Sequence, residues 1–124
     1  MRVLIVDDSR VLRSHLRGMM QALGWQTEEA ENGLCALERL REGDDFELAL
    51  VDVNMPEMNG IECVNRVRNE LPEREMKLMM VTTESDFALI AEVLAQGADE
   101  FLIKPFSREN LLAKLRLMEL PFTT

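Results

Sequence analysis

Histidine occurs once among the 124 residues of this sequence, tryptophan once, cysteine twice and tyrosine not at all. A single imidazole, His15, excludes a His-rich metal centre, and without any Cys-x-x-Cys a bound metal would have to be held by oxygen. Cys35 and Cys63 show no disulfide-framework spacing, and a chain that is 47% hydrophobic needs no staple, so both read as free thiols. Positive charge is scarce: 14 Lys plus Arg against 23 Asp plus Glu leave a net −9, the wrong sign for gripping nucleic acid or anionic lipid. No apolar run approaches the roughly 20 residues that cross a bilayer, so no membrane insertion is expected. Val3-Leu4-Ile5-Val6 follows the N-terminus with no signal-peptide layout, which gives an expected cytoplasmic location. Low-complexity tracts, long linkers and internal repeats are missing as well, so residues 1–124 are expected to form one domain.

What is present is an alternation. Short apolar runs at 3–6, 48–51, 78–81 and 101–103 read as strands buried on both faces, the signature of a mostly parallel sheet covered by helices. Segment 25–30 mixes Trp and Thr with Gln and Glu and reads as an edge strand, closed by Trp25. Five helical stretches lie between and after these strands. Ser9 caps the first, whose stripe is Leu12, Leu16, Met19, Met20 and Leu23, ending at Gly24. Leu34, Leu37 and Leu40 mark the second, before Gly43, and Ile61, Val64, Val67 and Leu71 the third, before Pro72. The fourth spans about 86–96 through Leu89, Ile90, Val93 and Leu94, and the fifth follows the cap Ser107 with Leu111, Leu112, Leu115 and Met118. Repeated strand–helix units predict an α/β fold, a doubly wound five-stranded parallel sheet with five helices, whose ligands collect at the carboxyl ends of the strands.

Those ends carry the chemistry. Strand one runs into Asp7-Asp8 and strand three into Asp52, so three carboxylates converge. Like charges about 4 Å apart repel by roughly 4 kcal/mol at an effective dielectric near 20, a cost that a divalent cation with hard oxygen ligands offsets. Few carboxylates with room for water suit Mg²⁺. A lone Asp8 would instead read as a turn or helix cap, and Lys104, at the end of strand five, as half of a simple salt bridge. Together with the hydroxyl of Thr82 after strand four, the set describes a receptor for a phosphoryl group, with Asp52 as the acceptor. Asn54, in the loop after Asp52, could lend a backbone carbonyl to the ion. The remaining features read as structural: methionines as core filler except Met55 and Met58 in a loop, and Arg10, Arg13, His15 and Arg17 as a solvated helix face.

The series Asp7-Asp8, Asp52-x-Asn54-Met55-Pro56 with Gly60, Thr82 and Lys104-Pro105-Phe106 resembles the receiver domain of two-component response regulators, most of all the single-domain chemotaxis members. The resemblance covers essentially the whole chain. It implies a flavodoxin-like strand order of 2-1-3-4-5 and transfer of a phosphoryl group from a phosphohistidine, on a histidine kinase or a histidine phosphotransfer protein, to Asp52. Mg²⁺ would be held by Asp7, Asp8, Asp52 and the carbonyl of Asn54. Thr82 and Lys104 would hold the phosphoryl oxygens, with Pro105 preceded by a cis bond. Thr82 and Phe101 would switch together, reshaping the surface of helix four, strand five and helix five that a downstream target protein reads. Phe101 stands where many relatives have tyrosine, which removes hydroxyl-mediated contacts. Asn54 and Glu84 imply a short-lived aspartyl phosphate, a decay that the bulky Thr83 would moderate by hindering the attacking water. No DNA-binding segment follows helix five, so output by contact, from a monomer or weak dimer, is expected.

Three rivals share parts of this pattern. A Mg²⁺-dependent phosphatase with an aspartate nucleophile needs a second aspartate two residues on, where Asn54 stands. A flavodoxin-type cofactor binder would not place Asp7-Asp8 against a phosphate. A receiver-like scaffold working without phosphorylation would have no use for the complete acceptor set.

Overall fold

In the computed structural model, which describes residues 1–43, 45–53, 55, 58–71, 75–83 and 87–123, with Phe87 by its backbone alone, strands and helices alternate five times. The elements are β1 (Arg2–Val6), α1 (Arg10–Ala22), β2 (Gln26–Ala30), α2 (Gly33–Arg41), β3 (Leu48–Asp52), α3 (Gly60–Glu70), β4 (Lys77–Thr82), α4 (Phe87–Ala95), β5 (Glu100–Ile103) and α5 (Arg108–Leu117). All strand pairings are parallel, in the order β2-β1-β3-β4-β5. Among the described residues no helix is long and apolar enough to cross a membrane.

Within each unbroken apolar run, alternate residues serve opposite faces of the sheet. Val3, Ile5, Leu48, Leu50, Met79 and Val81 pack with Leu16 and Met20 of α1 and Leu111 and Leu115 of α5. Leu4, Val6, Ala49, Val51, Leu78 and Met80 face the other way, against Leu37 and Leu40 of α2, Val64 and Val67 of α3 and Val93 of α4. Two apolar layers thus clamp one sheet, which is why these strands carry no polar face. The two edge strands are the exceptions: β5, expected to be buried on both faces, buries only Leu102, and β2 buries only Ala30, its glutamates met by arginines, Glu28 by Arg2 and Arg39, Glu29 by Arg13 and Arg17.

Capping side chains set the helix starts. Ser9, Asn32, Asn59 and Ser107 each accept from a backbone amide of the first turn, at Leu12, Cys35, Glu62 and Asn110 respectively. Gly24 and Gly97, with φ of 90° and 116°, turn the chain after α1 and α4 in a region that suits glycine.

Several sequence expectations need correction. Leu34 and Leu94, assigned to apolar stripes, are 38% and 39% exposed. α2 instead buries Gly33 and Ala36 beside Leu37 and Leu40, because small residues let the helix lie close to the sheet and to Met58. Met58 and Met55 are core residues rather than loop decoration. Trp25 precedes β2 instead of opening it; its indole is buried, and Nε1 donates to the Pro121 carbonyl at 3.0 Å. Asp86, the expected start of the fourth helix, lies outside the described residues. β1 lies between β2 and β3, so the winding reverses between β1 and β3, and a crevice opens at their carboxyl ends.

Candidate functional site

Asp7 follows the last residue of β1, and Asp52 is the last residue of β3, paired with Val81. Both are buried, at 1% and 6% exposure, whereas Asp8 faces solvent. One carboxylate oxygen from each of the three lies within 4.8 Å of the others. Lys104, one residue beyond β5, brings the counter-charge: Nζ donates to Asp52 Oδ1 at 3.3 Å and stands 3.5 Å from Asp7 Oδ2. Its backbone amide donates to the Thr82 carbonyl at 2.7 Å, which locks the end of β4 to the end of β5. Thr82 is buried at 3% exposure, and Thr83 beside it is exposed. The Lys104–Pro105 bond is cis.

The supports are specific. The Ser9 amide donates to Asp7 Oδ1 at 2.8 Å, and the Ser9 hydroxyl caps α1, so the same residue orients the acid and starts the helix. Gly60 opens α3 directly behind Asp52. A Cβ there would fall 2.3 Å from the Asp52 carbonyl oxygen and 2.8 Å from Val53 Cα, so only glycine permits this approach. The Gly60 amide also donates to the Val53 carbonyl at 2.9 Å.

Asp7 Oδ2 has no hydrogen-bond donor although it is fully buried; the lysine at 3.5 Å is an ion-pair neighbour beyond good bonding distance. An orphaned buried carboxylate oxygen is costly. Three formal negative charges against one ammonium leave a deficit of two positive charges, and every donor in the cluster is oxygen. That donor set and charge deficit fit a small divalent cation such as Mg²⁺.

Phe101 lies on β5, half-buried against the layer that contains α2, α3 and α4. Lys114 Nζ sits 4.1 Å from its ring centroid and is paired with Glu100 at 2.8 Å. The sequence-predicted Asp7, Asp8, Asp52 and Lys104 are thus brought together, with Thr82 tied to Lys104 through the backbone, and Phe101 lies on β5, two residues before Ile103. Asn54 and Glu84 lie outside the described residues.

Sequence reasoning missed Arg13. Far from being solvated, its guanidinium donates to the Asp7 carbonyl at 2.6 Å and to Glu29 at 3.0 Å. The available signal was its place in the first turns of α1 with acidic residues at the end of the neighbouring edge strand.

A family model described as the response regulator receiver domain matches residues 3–116. The chemotaxis protein CheY1 of Helicobacter pylori is 35% identical over 119 residues, covering 95% of this chain and 96% of that protein. The solved structure of chemotaxis protein CheY4 of Vibrio cholerae superposes with a TM-score of 0.85 at 36% identity, over 93% of this chain and 95% of the other. The response regulator TrrA of Thermotoga maritima, solved in complex with Mg²⁺–BeF, gives a TM-score of 0.80 at 30% identity, over 93% and 96%.

Proposed function

The chain belongs to the response regulator receiver domain family, and from that premise we propose that it is a phosphorylation switch whose acceptor is Asp52. Receiver domains are signalling proteins rather than turnover enzymes. The observation that carries the site assignment is the convergence of three carboxylates, buried Asp7 and Asp52 beside Lys104 and exposed Asp8 at the rim, with Asp7 Oδ2 left unsatisfied.

Asp7, Asp8 and Asp52 would hold Mg²⁺, with the Asn54 carbonyl proposed from sequence alone; TrrA, solved with Mg²⁺–BeF, supports this reading. The bound ion supplies charge neutralisation for the phosphoryl oxygens. Asp52, rigid at the end of a central strand, is the nucleophile. Its carboxylate oxygen forms a bond to phosphorus while the P–N bond of a phosphohistidine breaks, and the electron pair stays with the departing imidazole, which keeps a proton. Lys104 then exchanges its pairing with Asp52 for a phosphoryl oxygen, and the Thr82 hydroxyl donates to another. Little covalent assistance is needed, because positioning and charge dominate phosphoryl transfer. Water attack on phosphorus reverses the signal: the P–O bond to Asp52 breaks, the carboxylate returns and inorganic phosphate leaves. Thr83 at the exposed rim, with Asn54 and Glu84, would set how readily that water enters.

The phosphoryl group carries about 1.5 to 2 negative charges and replaces the single charge of the carboxylate, a net gain of about 0.5 to 1 at Asp52 spread over more oxygens, and Thr82 and Phe101 respond by population shift, altering the face of α4, β5 and α5. A histidine kinase or phosphotransfer protein is the donor, and a downstream protein reads that face. A single unit spanning 1–124, cytoplasmic and monomeric or weakly dimeric, fits this role. The CheY relatives make chemotaxis the first process to test. Incubation with acetyl phosphate or phosphoramidate and Mg²⁺ should yield a hydroxylamine-sensitive acyl phosphate in the wild type and none in Asp52→Asn. Labelling that survives the substitution would refute the site, and no labelling of either would favour a scaffold that acts without phosphorylation.

A further inference from the structure

Asp7 has four polar groups, and their partners are unequal. Its amide donates to the Ala30 carbonyl at 3.2 Å, Oδ1 accepts from Ser9, Oδ2 faces the acid cluster without a donor, and its carbonyl accepts from Arg13 Nη1 at 2.6 Å. That last bond is the only one of the three that a side chain of another residue provides. The Asp7 carbonyl belongs to the same rigid peptide plane as the Asp8 amide, so whatever holds it also sets the direction from which Asp8 projects.

Arg13 is itself well anchored. Its amide donates to the Ser9 carbonyl at 3.0 Å in the first turn of α1, and its side chain is 14% exposed. Nε donates to Glu29 Oε1 at 3.0 Å on β2, while Nη1 reaches back to Asp7. One planar fork therefore ties the edge strand to the β1–α1 turn, a span for which lysine, with a single point of donation, has no equivalent. Arg17 reaches the other Glu29 oxygen at 2.9 Å but does not extend to Asp7.

We propose that Arg13 is a positioning residue for the cation site, holding the Asp7–Asp8 turn so that the carboxylates converge on one point. The inference rests on the Mg²⁺ reading given above. Charge alone makes the opposite forecast: deleting a positive group beside a cation site tightens cation binding, whereas loosening the turn weakens it. The sign of the change therefore separates the two accounts.

The test is calorimetric titration of Mg²⁺ into wild type, Arg13→Met, Arg13→Lys and Arg17→Met, each first unfolded in chelator to establish that it is folded without metal. The expected result is a rise in Kd of about tenfold for both Arg13 variants, with Arg17→Met, an equal charge change, within about twofold of wild type. Unchanged or tighter binding by Arg13→Met overturns the inference while leaving the Mg²⁺ reading intact. If Arg13→Met does not fold, Arg13→Lys, which retains the charge and the aliphatic stem, decides the matter, and wild-type affinity in it overturns the proposal. Absence of Mg²⁺ binding by the wild type overturns the cation site and this inference with it.

Discussion

Asp8 is the member of the acid trio that solvent reaches, yet it sits close enough to Asp7 and Asp52 to repel both. Replacing it with asparagine removes one of three like charges at almost constant shape. Asp8→Asn is therefore expected to raise stability in chelator by about 1 kcal/mol, the usual sign when a functional cluster is relaxed. The same change should abolish the extra stability that Mg²⁺ gives the wild type through preferential binding to the folded state. Denaturant melts with and without Mg²⁺ measure both effects, and a less stable variant in chelator would contradict the repulsion account. The acids, Thr82 and Lys104 were legible in sequence because each ends an apolar run, and parallel strands bring their ends to one rim. Arg13 was not, because a guanidinium on a helix is solvated by default and only the observed fold puts Glu29 and the Asp7 carbonyl within its reach.

Elements are joined at the surface by charge. Glu70 at the end of α3 accepts from Arg66 one turn earlier and from Arg41 of α2. The Arg66 hydrogen bond, then the Arg41 one, hold the Glu70 carboxyl below its ordinary value of 4.5. Because the folded-state value is depressed, the pair's contribution is present above the unfolded value and fades as pH falls through the folded one. Wild type and Glu70→Gln should differ in thermal midpoint at neutral pH and converge in acid. The gap should be small and shrink in salt, since all three groups are open to solvent. Convergence in alkali instead would reverse the assigned sign. Helix existence and caps were readable from spacing plus Ser or Asn, but the buried stripes were not wholly so. Leucine spacing nominated Leu34 and Leu94, whereas Gly33, Ala36 and Gly60 make the close approaches, and small residues carry no hydrophobic signal.

For the molecule as a whole, the two thiols report on different events. Neither is in a disulfide; Cys35 is half-buried on α2 and Cys63 is on the buried face of α3, where burial pushes its thiol up to about 12. Iodoacetamide in mildly alkaline buffer is expected to modify Cys35 alone in the native protein and both thiols in denaturant. The rate at Cys63 then follows opening of the core. Rapid native modification of both would contradict the packing of that layer. Fold class follows from the two-sided apolarity of the three central strands, β1, β3 and β4, and strand order came with the family resemblance, while the seating of the tail could not be read from sequence, because it depends on one indole meeting one carbonyl.

The two rims of a parallel sheet are unlike by construction. Asp7 stands at the carboxyl rim, while Trp25 precedes Gln26, the partner of Arg2, at the opposite one, about five residues or roughly 16 Å along the strand. Around Trp25 the Thr123 amide bonds the Leu23 carbonyl at 2.9 Å, and the indole bonds Pro121. The sole intrinsic fluorophore is thereby a gauge of whether the last residues stay seated, and it is poorly placed to sense what loads the acidic crevice. A spectroscopist who follows emission during a cation titration would be reading the seating of the terminus and not the ion.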